Sequence, residues 1–158
     1  MKPLAVLLVL TVSTLVLTGC PNTNATQRQQ VAQASQNASI IVQGFQSGEV
    51  AMYQQGKTCQ ATTPTAGCIV ISDEDHQFIQ KELVTVAEIG KTTDSCINTT
   101  TATAGIVTCL NTATTNITEI YNDGGLYIKS PQAKQNFQLA MLGVKTALAV
   151  ISTTLGGQ

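Results

Sequence analysis

The stretch that decides the fold is residues 130–155, SPQAKQNFQLAMLGVKTALAVISTTL. Its Ser130-Pro131 pair is typical of a helix start, because serine caps the first turn and proline's missing N–H costs nothing at the first helical position. From there apolar residues recur every three or four positions, the spacing of one helix face. These seam residues are Ala133, Phe137, Met141, Val144, Leu148, Ile151 and Leu155. The pattern predicts a long amphipathic helix at the centre of a bundle.

A second interpretation of this segment is a membrane-spanning helix over residues 137–155. Gln138 and Lys145 interrupt its apolar run, and a spanning helix needs roughly 20 predominantly apolar residues. Three other segments carry helical patterns that it could pack against. The sequence therefore favours a bundle helix over a membrane span.

The first of these three patterns begins behind a polar stretch, residues 21–30, which we expect to be a short tether leading into a helix. Thr26 with Gln29 fits a capping box, and Thr23 is the alternative cap. We expect this helix to end near Gly56, since glycine is common just past helix C-termini. Its apolar or small seam residues are Val31, Ala34, Ala38, Ile41, Phe45, Gly48 and Met52. Their steps of three and four predict one long helix.

The second pattern begins at Ser72, a capping serine followed by three acids that favour the positive end of a helix. Its seam consists of Ile79, Leu83, Val86 and Gly90. The third pattern spans about residues 104–122, and residues 122–125 (NDGG) are expected to stop it in a turn. Its seam includes Ile106, Leu110, Ala113 and Ile117.

Five threonines in this third segment leave a β-strand as an alternative, because β-branched residues favour strands. The period of its apolar residues favours a helix instead. Four amphipathic helices joined by loops of modest length predict an all-α fold, an up-down bundle of about four helices.

The N-terminus carries a secretion signal. Lys2 precedes an apolar run over residues 4–17, about the length of a signal-peptide core and short for a membrane span. The run ends in Leu17-Thr18-Gly19-Cys20. This ending resembles the lipobox of bacterial lipoproteins, which consists of an aliphatic residue, two small residues and a cysteine.

The resemblance implies that the signal, residues 1–19, is cleaved and that the Cys20 thiol carries a diacylglyceryl lipid. Two acyl chains suffice for stable anchoring, whereas one is marginal. Pro21 stands where the family's inner-membrane retention signal has aspartate, so the resemblance favours the periplasmic face of the outer membrane. The expected organisation is a lipidated Cys20 with a tether, residues 20–30, and a bundle domain, residues 31–158. The alternatives are an ordinary secretory signal with a chance cysteine and an uncleaved anchor helix.

Four further cysteines are present: Cys59, Cys68, Cys96 and Cys109. An even number in an exported chain indicates two disulfides. Three pairings are possible, and we favour Cys59–Cys68 and Cys96–Cys109 because each pair brackets a Gly-, Thr- or Pro-rich segment that a bridge would clamp. The gaps are wider than the Cys-x2-Cys spacing typical of zinc sites. Neither a metal nor another cofactor is predicted.

The composition narrows the possible partners. Charged residues make up 11% of the chain and the net charge is −1, or about −2 once Lys2 leaves with the signal. This balance offers no basic patch for nucleic acid. Aromatic residues are 4% and tryptophan is absent, which weighs mildly against a tight small-molecule pocket.

No catalytic motif stands out. His76 is the only histidine and lies beside three acids, but it is expected to be a solvated residue of a helix terminus rather than part of a site. Nucleophile elbows, phosphate-binding glycine loops and zinc-protease motifs are absent from the sequence. We therefore expect a non-enzymatic protein.

Two functions are compatible with these features. The favoured one is a structural or protein-interaction module on the envelope, bound to the membrane through Cys20 and to an unidentified envelope protein. The alternative is a periplasm-facing module that binds a small apolar ligand or lipid between its helices, where the Gly, Ala and Met residues of the seams could leave space.

Overall fold

The computed structural model describes residues 23–62 and 70–156. These two ranges contain four α-helices and no strand. The helices are α1 (Thr23–Thr62), α2 (Asp73–Thr99), α3 (Thr103–Tyr127) and α4 (Pro131–Gly156). The main contacts join α1 to α2 and α4, and α3 to α2 and α4. The predicted all-α helical bundle is confirmed, and the strand alternative for the third segment is wrong.

The core of the bundle lies along the predicted seam of α4. Phe137 and Met141 are completely buried, and Leu155 is 1% exposed. By length and composition alone, Pro131–Leu155 is also the one described helix apolar enough to cross a membrane. In this fold its seam is covered by α1 and α3, which is the packing that the sequence favoured.

The threonines of α3 are compatible with a helix because their hydroxyls bond to the helix itself. Thr108 Oγ1 donates to the carbonyl of Ala104 at 2.9 Å, and Thr118 Oγ1 donates to that of Thr114 at 2.7 Å. Such bonds to the preceding turn satisfy the hydroxyl within the helix. The β-branched composition therefore does not interrupt α3.

The predicted turn at residues 122–125 is wrong, because α3 continues through it to Tyr127. Gly124 is buried, and a Cβ at this position would overlap the ring of Phe137. The glycine is thus explained by the close approach of α4, not by a turn. Residues 128–130 make the connection instead, with Ile128 only 1% exposed.

Helix α1 is longer than the sequence predicts. It begins at Thr23, so most of the expected tether is helical, and it continues past Gly56 to Thr62. The predicted seam is correct except at Gly48, which is exposed, whereas the neighbouring Glu49 is 1% exposed. Gly48 and Glu49 lie three and four residues after Phe45, and the helical period permits either of them to face the core.

The N-terminus of α2 is held against the turn between α3 and α4. Ser72 caps the helix as predicted, accepting from the Asp75 amide at 3.0 Å. The Asp75 carboxylate is buried and accepts from the amides of Lys129 at 2.9 Å and Ser130 at 2.8 Å. These bonds satisfy a charge that would otherwise be costly to bury.

The opposite end of α2 is bonded to α3 by a disulfide. Cys96 and Cys109 form the predicted bridge, with their Cα atoms 6.0 Å apart. Cys59, near the end of α1, is also disulfide-bonded. Its predicted partner, Cys68, lies outside the described residues, so the Cys59–Cys68 pairing stays a prediction.

Candidate ligand-binding groove

A cavity of about 540 Å³ lies between α1 and α2, and we call it the α1–α2 groove. Its floor consists of apolar residues from α3 and α4: Leu110, Ala113, Ile117, Val144, Leu148 and Ile151. Ligand pockets in proteins typically measure about 300–1,000 Å³ and are mostly apolar. The groove therefore has the size and lining of a site for a small apolar molecule.

Small side chains on both walls explain the open space. The α1 wall includes Ala34 and Ala38, and the α2 wall includes Ala87 and Gly90. No described heavy atom lies within 4 Å of a Cβ built on Gly90. Protein interiors are normally packed as densely as organic crystals. The groove is therefore open to solvent along this part of α2, where Ala87 and Gly90 are exposed.

Polar side chains bridge the two walls at each end of the groove. At the Ser35 end, Ser35 Oγ donates to Asp94 Oδ1 at 3.4 Å. At the Gln46 end, Gln46 Nε2 donates to Gln80 Oε1 at 3.3 Å. Eleven residues of helix between positions 35 and 46 span about 16 Å. The apolar part of the groove is therefore long and narrow.

The two walls are held in place differently. Helix α2 is fixed to α3 by the Cys96–Cys109 disulfide and to the α3–α4 turn by Asp75. Along the groove, the described polar links between α1 and α2 are the exposed side-chain hydrogen bonds of Ser35 and Gln46 and the part-buried bond between Gln80 and Glu49. A typical hydrogen bond contributes only about 1 kcal/mol net. The two exposed bonds of Ser35 and Gln46 therefore add little to the cost of opening the groove between them.

A buried carboxylate lies just beyond the Gln46 end. Glu49 Oε2 accepts from Gln80 Nε2 at 2.8 Å, and Glu49 Oε1 lies 2.8 Å from His76 Nδ1. The His76 ring stacks on Tyr53 with centroids 3.9 Å apart and planes 5° apart. These partners come from both helices. The Glu49 cluster (Glu49, Tyr53, His76 and Gln80) therefore closes the α1–α2 interface where the groove ends.

An exposed ion pair extends this cluster toward solvent. Lys57 Nζ lies 2.6 Å from Asp73 Oδ1, and the Tyr53 hydroxyl donates to the same oxygen at 3.0 Å. The hydrogen bonds from Lys57 and Tyr53 lower the pKa of Asp73, and the bond to Asp73 raises the pKa of Lys57. Both side chains are exposed, so the pair adds little to stability.

The solvated environment predicted for His76 is wrong. Its side chain is 22% exposed, and its Nδ1 faces a carboxylate that is 1% exposed. Sequence reasoning missed Glu49 because the predicted seam of α1 runs through the neighbouring Gly48. Two signals could have found the pair: Glu49 is the only acidic residue of α1, and His76 is the only histidine of the chain. An isolated acid in an otherwise nearly uncharged helix needs an explanation.

None of the described cysteines, Cys59, Cys96 and Cys109, lines the groove. Cys20, the predicted lipidation site, lies outside the described residues, as does Cys68. The bonded Cys96 and Cys109 lie at the α2–α3 interface. Within residues 23–62 and 70–156, no group of three or more His, Cys, Asp or Glu side chains could hold a metal ion.

Comparisons with known proteins add no relatives. The chain matches no family model, no curated protein and no solved structure. The function must therefore be argued from the groove and from the sequence of the chain itself.

Proposed function

We propose that this protein is a lipid-anchored bacterial envelope protein whose α1–α2 groove binds a single-chain lipid. The observation that carries the proposal is the apolar cavity of about 540 Å³ between α1 and α2, whose floor is formed by α3 and α4. Geometry favours this function over the protein-interaction module that the sequence alone favoured.

The shape of the groove selects the class of ligand. It is about 16 Å long between its bridges, by the rise of an α-helix, and its floor is apolar throughout. A single hydrocarbon chain matches such a space better than a broad ring system. Each methylene transferred from water contributes about 0.8 kcal/mol, so ten methylenes yield roughly 8 kcal/mol before the costs of association. That gain is sufficient for binding without aromatic anchors.

The proposed anchor would place the groove near a membrane. The first residue that lines it, Val31, lies eight positions after the beginning of α1 at Thr23, which is about 12 Å of helix. Cys20 precedes Thr23 by three residues. If Cys20 carries lipid at the outer membrane, as its lipobox resemblance implies, the groove lies in the half of the bundle that is closest to the acyl chains of the bilayer.

Mass spectrometry tests the proposal directly. The full chain is purified in mild detergent, and its mass is measured under native and under denaturing conditions. The denaturing mass contains only covalent groups and tests lipidation of Cys20, whereas the additional native mass is the bound molecule. We expect an additional mass of one single-chain lipid per protein. A ligand-free native protein that also fails to take up added lipid would contradict the groove's role.

Two glycine substitutions locate the site. Gly90→Leu introduces a side chain into the groove, whereas Gly44→Leu adds the same side chain at an exposed position of α1 that does not line it. Gly90→Leu is expected to abolish lipid uptake and Gly44→Leu to retain it. Equal uptake by both variants would place the lipid elsewhere.

One observation favours the protein-interaction function as a second candidate. On the outer side of α4, Leu139 is 58%, Leu142 47% and Val150 58% exposed. Large exposed apolar side chains on one helix are typical of interaction surfaces. Crosslinking in intact cells should recover a defined envelope protein if this face is used, and substitution of Leu139 by Ser should reduce its yield. A yield unaffected by the substitution would argue against this face.

A further inference from the structure

The polar groups along the α1–α2 groove are mostly uncharged. Six side chains with hydroxyl or carboxamide groups line it: Ser35, Ser39, Gln43, Gln46, Gln80 and Thr93. The lining contains one cation, Lys91, and one anion, Asp94. Hydroxyl and amide groups bind partners by hydrogen bonds and provide no net charge. This lining therefore suits an uncharged polar head group.

A buried carboxylate lies beside the Gln46 end of the groove. Gln80 lines the groove and also donates to Glu49, whose carboxylate is 1% exposed. Described charged or titratable groups around Glu49 are His76, which it contacts, and the Lys57–Asp73 pair beyond Tyr53. Charges interact more strongly in a protein interior than in water. When His76 is neutral, an anionic head group beside Gln46 and Gln80 would thus be repelled by the Glu49 carboxylate.

The Ser35 end does not compensate with a positive potential. Lys91 is exposed and forms no ion pair within the described residues. Glu88 and Asp94 flank it at three positions on either side of the same helix, and residues at this spacing are neighbours on a helix surface. The single cation is therefore offset by two acids, and neither end of the groove attracts an anion.

Gln46 retains the capacity to bind a head group. Its carboxamide has two N–H donors and an acceptor oxygen. Among the described contacts it uses one donor, in a bond of 3.3 Å to Gln80, and the side chain is exposed. A hydroxyl-bearing head group can therefore bond to Gln46 while its hydrocarbon chain lies on the apolar floor.

We infer that the ligand of the α1–α2 groove is a neutral, hydroxyl-bearing single-chain amphiphile whose head group lies at the Gln46 end. The inference rests on the proposed function, since it specifies the lipid that the groove takes. Glu49 acts as the selectivity residue by disfavouring a carboxylate or phosphate head group, and Gln46 contacts the hydroxyls.

The test compares two ligands with the same hydrocarbon chain, monoolein and oleate, bound to the full chain by native mass spectrometry at low ionic strength. We expect monoolein to bind at least about fivefold more tightly, which corresponds to roughly 1 kcal/mol. Glu49→Gln should reduce this preference to less than about twofold because the repulsion of roughly 1 kcal/mol is removed. The matched control, Glu119→Gln, changes an exposed acid of α3 outside the groove and should retain the full preference.

Gln46→Leu keeps the selectivity testable if Glu49→Gln fails to fold. This substitution should weaken the binding of monoolein and leave that of oleate unchanged, because only the hydroxyls of monoolein contact the Gln46 carboxamide. Equal or tighter binding of oleate by the unmodified protein would overturn the inference, as would an unchanged preference in Glu49→Gln or a co-purified peptide in place of a lipid. Failure of both ligands to bind would overturn the proposed function itself.

Discussion

The α3–α4 and α1–α2 interfaces are built from the same three-and-four pattern of small and apolar residues, yet one is closed and the other is open. In the first, the Phe137 ring lies against Gly124 so closely that a methyl group has no room. In the second, a Cβ on Gly90 would have no described neighbour within 4 Å. A glycine thus permits close approach in one interface and leaves space in the other.

Both interfaces have the same periodicity of apolar residues, so the side chains opposite each glycine determine whether the interface closes. Across from Gly124 stands the largest apolar side chain of α4, which fills the available volume. Across the groove, the α1 wall contributes mostly small or polar residues, and Gln46 bridges the rim to Gln80. Interfaces need matched volumes to reach native packing density.

The largest expected effect comes from the closed interface. Phe137→Ala should destabilise the protein by about 3–5 kcal/mol, because it removes a fully buried ring and leaves a cavity. Val42→Ala, on the groove wall, should cost about 1 kcal/mol or less because its side chain already borders open space. Chemical denaturation measures both values. Similar costs at the two positions would mean that the interfaces do not differ in packing.

The next largest loss of stability is expected in the Glu49 cluster. His76→Ala removes one of the two hydrogen-bond partners of a carboxylate that is 1% exposed. An unsatisfied buried group typically costs about 1–3 kcal/mol, so we expect a loss of about 2 kcal/mol. In the Glu49→Gln background the same change should cost less, because no charge is left buried. A double-mutant cycle by urea denaturation measures this coupling, and additive effects would contradict it.

The closed interface was largely predictable from sequence. The α4 seam follows from a local pattern, and the structure contains it. Elsewhere in the bundle the Ser72 cap was predictable in the same way, and the favoured Cys96–Cys109 pairing, one of three possible, is present. The turn predicted at residues 122–125 was wrong because glycine pairs normally end helices. Here the fit of Gly124 against Phe137 outweighs that preference, and a contact between distant residues is not visible in local sequence.

The open interface was much less predictable. Small residues on the seams suggested space in the core, but not that a groove would lie between α1 and α2. The Glu49–His76 contact joins residues 27 positions apart on two helices, and no single helix pattern contains it. Helical periodicity allowed either Gly48 or Glu49 to face inward. The choice depends on whether α2 offers partners to a carboxylate, which His76 and Gln80 do.

A smaller effect distinguishes the two walls of the groove. Leucine has a higher helix propensity than glycine, so Gly44→Leu on the surface of α1 should stabilise the protein by about 0.8 kcal/mol. Gly90→Leu should gain about 1 kcal/mol more, because its side chain buries apolar area in the groove. Thermal unfolding of the lipid-free variants measures the difference. If Gly90→Leu is no more stable than Gly44→Leu, the space beside Gly90 is not open to a side chain.

The smallest predicted change in stability concerns the side of α2 that packs against α3 and does not border the groove. Glu82 is 8% exposed. Its burial raises the pKa of this carboxyl, the neighbouring Lys81 charge lowers it, and Asp123 raises it further. A pKa that is higher in the folded than in the unfolded state means that folding favours the protonated form. The resulting stabilisation is fully present below the unfolded pKa, about 4.3, and is lost as the pH rises through the folded pKa.

Glu82→Gln should therefore stabilise the protein at pH 7, on the order of 0.5 kcal/mol, and this gain should disappear as the pH falls below about 4. Denaturation between pH 3 and 8 measures the trend, with the exposed Glu119→Gln as the control. A gain that grows on acidification would contradict the raised pKa of Glu82. The expected trend would show that close packing between α2 and α3 makes the Glu82 charge costly to bury, a cost that the solvated rim of the groove avoids.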